Sequence, residues 1–301
     1  MDSPDVVFIV GPTGTGKTEA ALNLRHSSSI EIINADSRQV YKWLSIGTAK
    51  PTLQQQSLVP HHLFDIIEPD GSFSIAQFLE IAREKITEIL SRNITPVVVG
   101  GTGQYLWGLI EGWQIPAIPP NKTLRKNYEF FVNENGSEAL YKKLLSIDPG
   151  ARAIIDSSNT RRIIRALEVW EHTGVPFSTL RKQAPPSYRF QISGININRL
   201  DLYKRINDRL ISMVENGWVA EIESLLSYGY TTKLPSFSSA GYREIASYIQ
   251  GITTYEEALE KTKAATHRLV RAQDNWFKKS DSRIAWSENI EELCKRVNLK
   301  K

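Results

Sequence analysis

Eight residues constrain this chain more than any others: Gly11-Pro12-Thr13-Gly14-Thr15-Gly16-Lys17-Thr18 fits the pattern G-x-x-x-x-G-K-[ST]. The run Val6 to Val10 before it is apolar and strand-like, and Glu19 to Leu24 after it reads as a helix. A glycine-rich loop in that position turns successive backbone N–H groups toward an anion at a helix N-terminus. Lys17 adds a mobile positive charge, and the Thr18 hydroxyl is suited to Mg2+. Gly11, Thr13, Gly14, Thr15, Gly16, Lys17 and Thr18 are therefore predicted to cradle a diphosphate or triphosphate, with Thr18 as the metal contact.

The pattern around the loop is parallel α/β. Strand-like Ile30 to Ile33 is followed by helically spaced apolar residues over Ile75 to Leu90, then by strand-like Pro96 to Val99. From about residue 116 the pattern turns helical only, with Ile163, Ile164, Leu167 and Trp170 on one stripe. Phe190 to Ile197 resumes as a strand, long helices follow over Leu202 to Val214 and Tyr255 to Phe277, and Arg283 to Trp286 reads as a last short strand. The expected fold is a P-loop parallel-sheet core flanked by helices, residues 1–115 and 190–301, with an inserted all-helical subdomain at 116–189. Pro116, Pro119 and Pro120 on one side and Pro185 and Pro186 on the other bracket the insertion.

Charge distribution separates the same two pieces. The chain's 37 Lys+Arg exceed its 33 Asp+Glu by only four, too mild an average to imply nucleic acid. Ala117 to Arg189 alone carries twelve basic and seven acidic residues, an excess of five, which leaves the remainder at −1. The single cysteine, Cys294, excludes an internal disulfide framework or a multi-cysteine zinc site. No signal-peptide pattern opens the chain, and no apolar run nears the roughly 18 residues needed to span a membrane, so a cytoplasmic protein is expected.

Most P-loop enzymes that use nucleoside triphosphates place a second acid after a later apolar strand. Here Pro96 to Val99 ends instead in Gly100-Gly101-Thr102-Gly103, and the carboxylate appears after the second strand, at Asp36. At the carboxyl ends of parallel strands, both loops would face the ligand crevice beside the phosphate loop. Asp36 there could hold metal, cap a helix or act as a base.

Seven blocks in order carry a resemblance: Gly11 to Thr18, Asp36-Ser37-Arg38-Gln39-Val40-Tyr41, Ile46 to Pro51, Pro60-His61-His62-Leu63, Gly100 to Gly103, Arg165-Ala166-Leu167-Glu168-Val169, and Gly241-Tyr242-Arg243-Glu244. Together they resemble the tRNA dimethylallyltransferases over nearly the whole chain. That family moves a dimethylallyl group from dimethylallyl diphosphate to N6 of an adenosine next to the anticodon, position 37. The resemblance implies that the P-loop holds a diphosphate leaving group with Mg2+, that Asp36 accepts the amine proton, and that Thr102 and Arg205 complete the catalytic set. Arg209, one turn beyond Arg205, is the rival for the diphosphate arginine.

The acceptor base must leave its stack, at a cost of a few kcal/mol. Ser37, Arg38 and Gln39, with Tyr41, follow Asp36 closely enough to read it, and the family's backbone contacts correspond to Arg125, Arg161, Arg162 and Arg165. His267, Arg268 and Arg271, with Trp276, form a second basic and aromatic stripe. This late block departs from the family's Arg-Gln-x-x-x-Lys-Arg-Gln-x-x-Trp, leaving Arg268 and Gln273 as its best matches and Ala272 as a mismatch. A bacterial-type monomer acting on the tRNA anticodon stem-loop, with no membrane, is the expected protein. Transfer to free adenine nucleotides, a P-loop kinase, and a non-catalytic nucleic-acid binder are the competing readings. The basic insertion, the missing acid after Val99, and the intact Asp36, Thr102 and Lys17 argue against them in that order.

Overall fold

A computed structural model of the chain describes residues 4–116, 118–180, 182–297 and 299. Arg181, one of the twelve basic residues counted above, lies outside the described residues. Strands β1 (Val6–Val10), β2 (Ile30–Asn34), β3 (His61–His62), β4 (Thr95–Val99), β5 (Trp113–Gln114), β6 (Lys182–Gln183), β7 (Phe190–Ile195) and β8 (Ile284–Ser287) form two sheets. The larger is six-stranded and entirely parallel, in the order β3-β2-β4-β1-β7-β8. β1, β2 and β4 are buried at every position. Burial on both faces is why they read as unbroken apolar runs rather than as alternation.

This strand order positions the site. β2, β4 and β1 are adjacent, with Asn34 opposite Val99 and Ile9 opposite the same Val99. Their carboxyl ends therefore release three loops side by side: the one bearing Asp36, the Gly100–Gly103 loop and the phosphate loop. The contact between the first two is closer than any side chain would allow, since a Cβ on Gly100 would lie 2.1 Å from the Ala35 carbonyl oxygen. Two-residue β3 has too few residues to show a period, and only its backbone pairing with Ile32 and Ile33 reveals it.

The chain divides into two compact units, Met1–Leu109 with Pro186–Lys301, and Ile110–Pro185. The sequence reading placed the insertion at 116–189. The unit starts earlier because Trp113 and Gln114 pair antiparallel with Gln183 and Lys182, a short ribbon too brief to show in a helical pattern. Arg189 belongs with the first unit, where its backbone N–H and guanidinium meet Asp5. Exchanging Arg189 for Glu111 lowers the insertion's excess of basic residues from five to three.

Within the second unit, Asn121 and Asn159 cap helices Lys122–Ile147 and Thr160–Thr173 by accepting N–H bonds from Leu124 and Arg162. The first of these breaks at Gly136, whose φ of 81° no helix accommodates. The core is Leu140, Leu144, Ile163, Ile164 and Leu167 with their neighbours. Among the described residues no helix is long and apolar enough to cross a membrane.

Candidate active site

The phosphate loop leaves β1 and feeds the helix Lys17–Asn23, with Gly14 and Gly16 at φ of +85° and +90°. Those left-handed conformations turn the loop back on itself, and they cost glycine little. Thr15 Oγ1 donates to the Pro12 carbonyl at 3.0 Å, and Lys17 Nζ donates to the same oxygen at 2.6 Å. Desolvation pushes the Lys17 pKa down to about 8, with Arg209 adding to the fall and Asp36 opposing it. The Thr18 hydroxyl makes no hydrogen bond among the described residues, unlike that of Thr15.

Asp36 follows β2 in a turn of its own making. Its backbone N–H donates to Asn34 Oδ1 at 2.9 Å, and its Oδ1 accepts the Arg38 N–H at 2.9 Å. One carboxylate oxygen thus shapes the turn, and Oδ2 meets no donor among the described residues. Thr102 bridges to the same turn: its hydroxyl accepts the Ser37 N–H at 2.9 Å and donates to Ser37 Oγ at 3.2 Å. The helix Gly103–Ile110 starts on the Thr102 carbonyl, which accepts the Tyr105 and Leu106 N–H groups.

The arginine at the loop is Arg209. Its Nη2 donates to Thr13 Oγ1 at 2.8 Å, whereas Arg205 is exposed and does not line the cleft. The helix Arg199–Glu215 packs Leu202 and Ile206 against Gly14, and that docking carries position 209 to the loop. Desolvation lowers the Arg209 pKa from its usual value, opposed by Asp36.

Thr13, Asp36, Ser37, Thr102 and Arg209 are among the residues that line one cleft of about 670 Å³, while Lys17 and Thr18 lie outside its lining. Arg38, Arg209, Arg243 and Arg268 also line it, against the carboxylates of Asp36 and Glu244. Four guanidinium groups against two acids suit a polyanion. Part of this set is already engaged: Arg38 Nη1 donates to the Pro235 carbonyl at 3.1 Å, and Arg243 Nε donates to that of Thr232 at 3.0 Å. Gln39 donates both amide hydrogens inward, to the Thr48 and Ala49 carbonyls at 2.9 and 3.1 Å, which leaves its oxygen as its only available group.

Two residues hold this end of the cleft: Glu221, which the sequence did not mark out, and Lys50, which lies within the Ile46 to Pro51 block but was given no role there. Glu221 accepts the Ser45, Ile46 and Gly47 N–H groups at 2.8, 2.7 and 3.4 Å and the Tyr242 hydroxyl at 2.6 Å. Lys50, almost wholly buried, donates to the Tyr41 carbonyl at 2.9 Å and pairs with Asp65. The Ile46 to Pro51 and Gly241 to Glu244 blocks are thus joined through one carboxylate. A carboxylate as an anchor for backbone N–H groups has no local sequence pattern that would have found it.

The insertion's arginines divide. Arg125 and Arg165 both bind Glu168, whose side chain is 1% exposed, at 2.7 and 2.6 Å. Burial alone would raise the Glu168 pKa, but these two guanidinium groups and the Asn121 N–H hold it down at about 2. Arg125 and Arg165 therefore have a structural partner that the sequence reading, which assigned them to tRNA, did not anticipate. Arg161 and Arg162 are exposed and meet no carboxylate among the described residues. In the first unit His267 stacks on Tyr203, ring centroids 3.9 Å apart, so it serves the packing of two helices.

Comparison with known proteins gives the family. The family described as IPP transferase matches residues 39–280, and one described as isopentenyl transferase matches residues 4–65. A Roseiflexus castenholzii protein named tRNA dimethylallyltransferase is 43% identical over 97% of this chain and 95% of its own. A Dehalococcoides mccartyi protein of the same name is 42% identical over 93% and 86%. Among solved structures, the full-length tRNA isopentenylpyrophosphate transferase of Bacillus halodurans superposes with a TM-score of 0.67 at 39% identity, covering 94% of this chain and 89% of that one. A eukaryotic dimethylallyltransferase acting on tRNA superposes at 0.80 with 26% identity, covering 93% and 73%.

Proposed function

The chain belongs to the IPP transferase family, and from that premise we propose that it transfers a dimethylallyl group from dimethylallyl diphosphate to N6 of an adenosine adjacent to the anticodon of tRNA, position 37, releasing diphosphate. The observation that carries the reading is the convergence of Asp36, Thr102 and the Arg209-braced phosphate loop on one cleft. The reaction breaks the allylic C–O bond, so negative charge grows on the departing diphosphate and positive charge on the allyl carbon. Loop N–H groups, Lys17 and Arg209 stabilise the first. The N6 amine attacks the second and loses a proton, for which Asp36 Oδ2 is the acceptor, and the Thr102 hydroxyl stands beside it.

Mg2+ fits this site. The Thr18 hydroxyl is uncommitted among the described residues and would be the ion's protein ligand. A site of that kind suits an ion held chiefly by substrate phosphates and water. When bound, it would neutralise charge on the diphosphate. Ser37, Arg38 and Gln39 meet the base, and Arg161 and Arg162 the tRNA backbone. In this reading the protein works as a monomer in the cytoplasm, where unmodified tRNA is found.

Incubation with labelled dimethylallyl diphosphate and either unmodified tRNA or AMP, with ATP hydrolysis followed in parallel, tests the reading. Label in tRNA alone is expected. Label in AMP, or ATP hydrolysis without transfer, would sink it.

A further inference from the structure

Gln273 lies on the helix Tyr255–Asp274, is 6% exposed, and touches two of the three loops of the cleft at once. Its Oε1 accepts the Thr13 N–H of the phosphate loop at 2.8 Å, and its Nε2 donates to the Gly101 carbonyl at 3.1 Å. The amide cannot be reversed, because a flip would set oxygen against the Gly101 carbonyl and NH2 against the Thr13 N–H. The fit is close: a Cβ on Gly101 would lie 2.2 Å from Nε2. The same two loops carry the groups that act on opposite partners of the reaction, since Thr13 is bonded to Arg209 and Gly101 precedes Thr102. Neither loop bonds the other through its own side chains among the described residues.

We propose that Gln273 is a positioning residue that fixes the phosphate loop against the Thr102 loop, setting the spacing between the diphosphate and the attacking amine. This deepens the reading given above and rests on it. The resemblance that ranked Gln273 among possible contacts of the late block is replaced by a different role, because the side chain is spent on the protein's own backbone.

The test is the pair Gln273→Leu and Gln273→Glu in the full chain, with transfer to unmodified tRNA, inorganic pyrophosphate binding by calorimetry, and thermal melting. Displacement of catalytic groups by about 1 Å costs on the order of a hundredfold in rate, so kcat of Gln273→Leu is expected to fall about that much. Pyrophosphate Kd is expected to change less than about threefold, since the loop N–H groups and Lys17 still hold the anion. Gln273→Glu retains the acceptor for Thr13 but faces Gly101 without a hydrogen unless protonated. Its burial and Asp36 favour the protonated form, while Lys17 and Arg209, and Arg268 on its own helix, oppose it. Relative to the unaltered protein at each pH, its turnover is therefore expected to recover as pH falls. That recovery is expected at a melting temperature that changes little; a melting temperature that recovers in step with turnover would mark a structural defect and overturn the proposal.

Unchanged kcat in Gln273→Leu overturns the proposal. So does a Gln273→Glu loss that tracks melting temperature and stays constant with pH. Failure of the unaltered protein to modify tRNA would instead overturn the reading beneath it, while pyrophosphate binding still reports whether the loop is formed.

Discussion

Arg209 donates to the Thr13 hydroxyl at 2.8 Å, four residues along a helix from an arginine, Arg205, that faces solvent. The two are equivalent in type and share a helical stripe, yet only one reaches the phosphate loop. Removing a preorganised donor of this kind costs about 10² to 10³ in turnover. Arg209→Ala is expected to lose that much in single-turnover transfer, with tRNA binding little changed, and Arg205→Ala is expected to stay within about threefold of the unaltered protein. Equal losses would show that the helix sits differently on the loop.

The insertion supports a second contrast. Arg125 holds a buried carboxylate, and loss of one partner from a fully buried pair costs roughly 3–5 kcal/mol. Arg125 is itself 40% exposed, and Arg165 remains, so about 2 kcal/mol is expected for Arg125→Ala in denaturant unfolding. Arg162→Ala is expected to leave stability unchanged and to reduce the salt dependence of tRNA binding by about one unit of slope. If Arg162→Ala leaves that slope intact, the exposed arginines are only a solvated face.

The pH dependence follows from Lys17. Its pKa is lowered to about 8 in the free protein, so the ammonium is present below that value and lost above it. The profile of kcat/KM for dimethylallyl diphosphate reports groups of the free enzyme, and it is expected to fall as pH rises through about 8. The bound anion raises the Lys17 pKa again, so the corresponding limb of kcat should lie at higher pH. A kcat/KM that stays flat well past pH 8 would contradict this assignment.

Glu221 is expected to matter to both stability and acceptor use. Glu221→Ala strips the partner from the fully buried Tyr242 and frees the N–H groups of Ser45 to Gly47, a loss of about 1–3 kcal/mol by melting. Gly47 and Thr48 line the cleft, so KM for tRNA should rise while KM for dimethylallyl diphosphate stays constant. A rise in both would indicate general loosening instead.

Much of the fold was legible because fully buried parallel strands write themselves as apolar runs, and Val6–Val10 and Thr95–Val99 are plain examples. His61–His62 and the pairing of Trp113–Gln114 with Lys182–Gln183 were not, since two residues carry no period and owe their strand character to a distant partner. Among site residues, the phosphate loop, Asp36 and Thr102 belong to compact motifs whose neighbours dictate their geometry. Glu221 and Gln273 act through backbone groups more than 170 residues away, and nothing beside them in the chain announces it.

The sequence by itself determined which chemical groups stand at the ends of the central strands: an anion cradle, a carboxylate and a hydroxyl in a bed of glycines. It also determined that the insertion would be basic. Tertiary structure decided which arginines serve these groups. Four residues along a helix shift a side chain by about 6 Å along the axis while leaving it on nearly the same face, so local pattern cannot separate Arg205 from Arg209. The docking of Leu202 and Ile206 on Gly14 does. Arg125 and Arg161 likewise look alike in the chain, and only the buried carboxylate of Glu168 sets them apart, because a charge taken out of water must be met by its opposite.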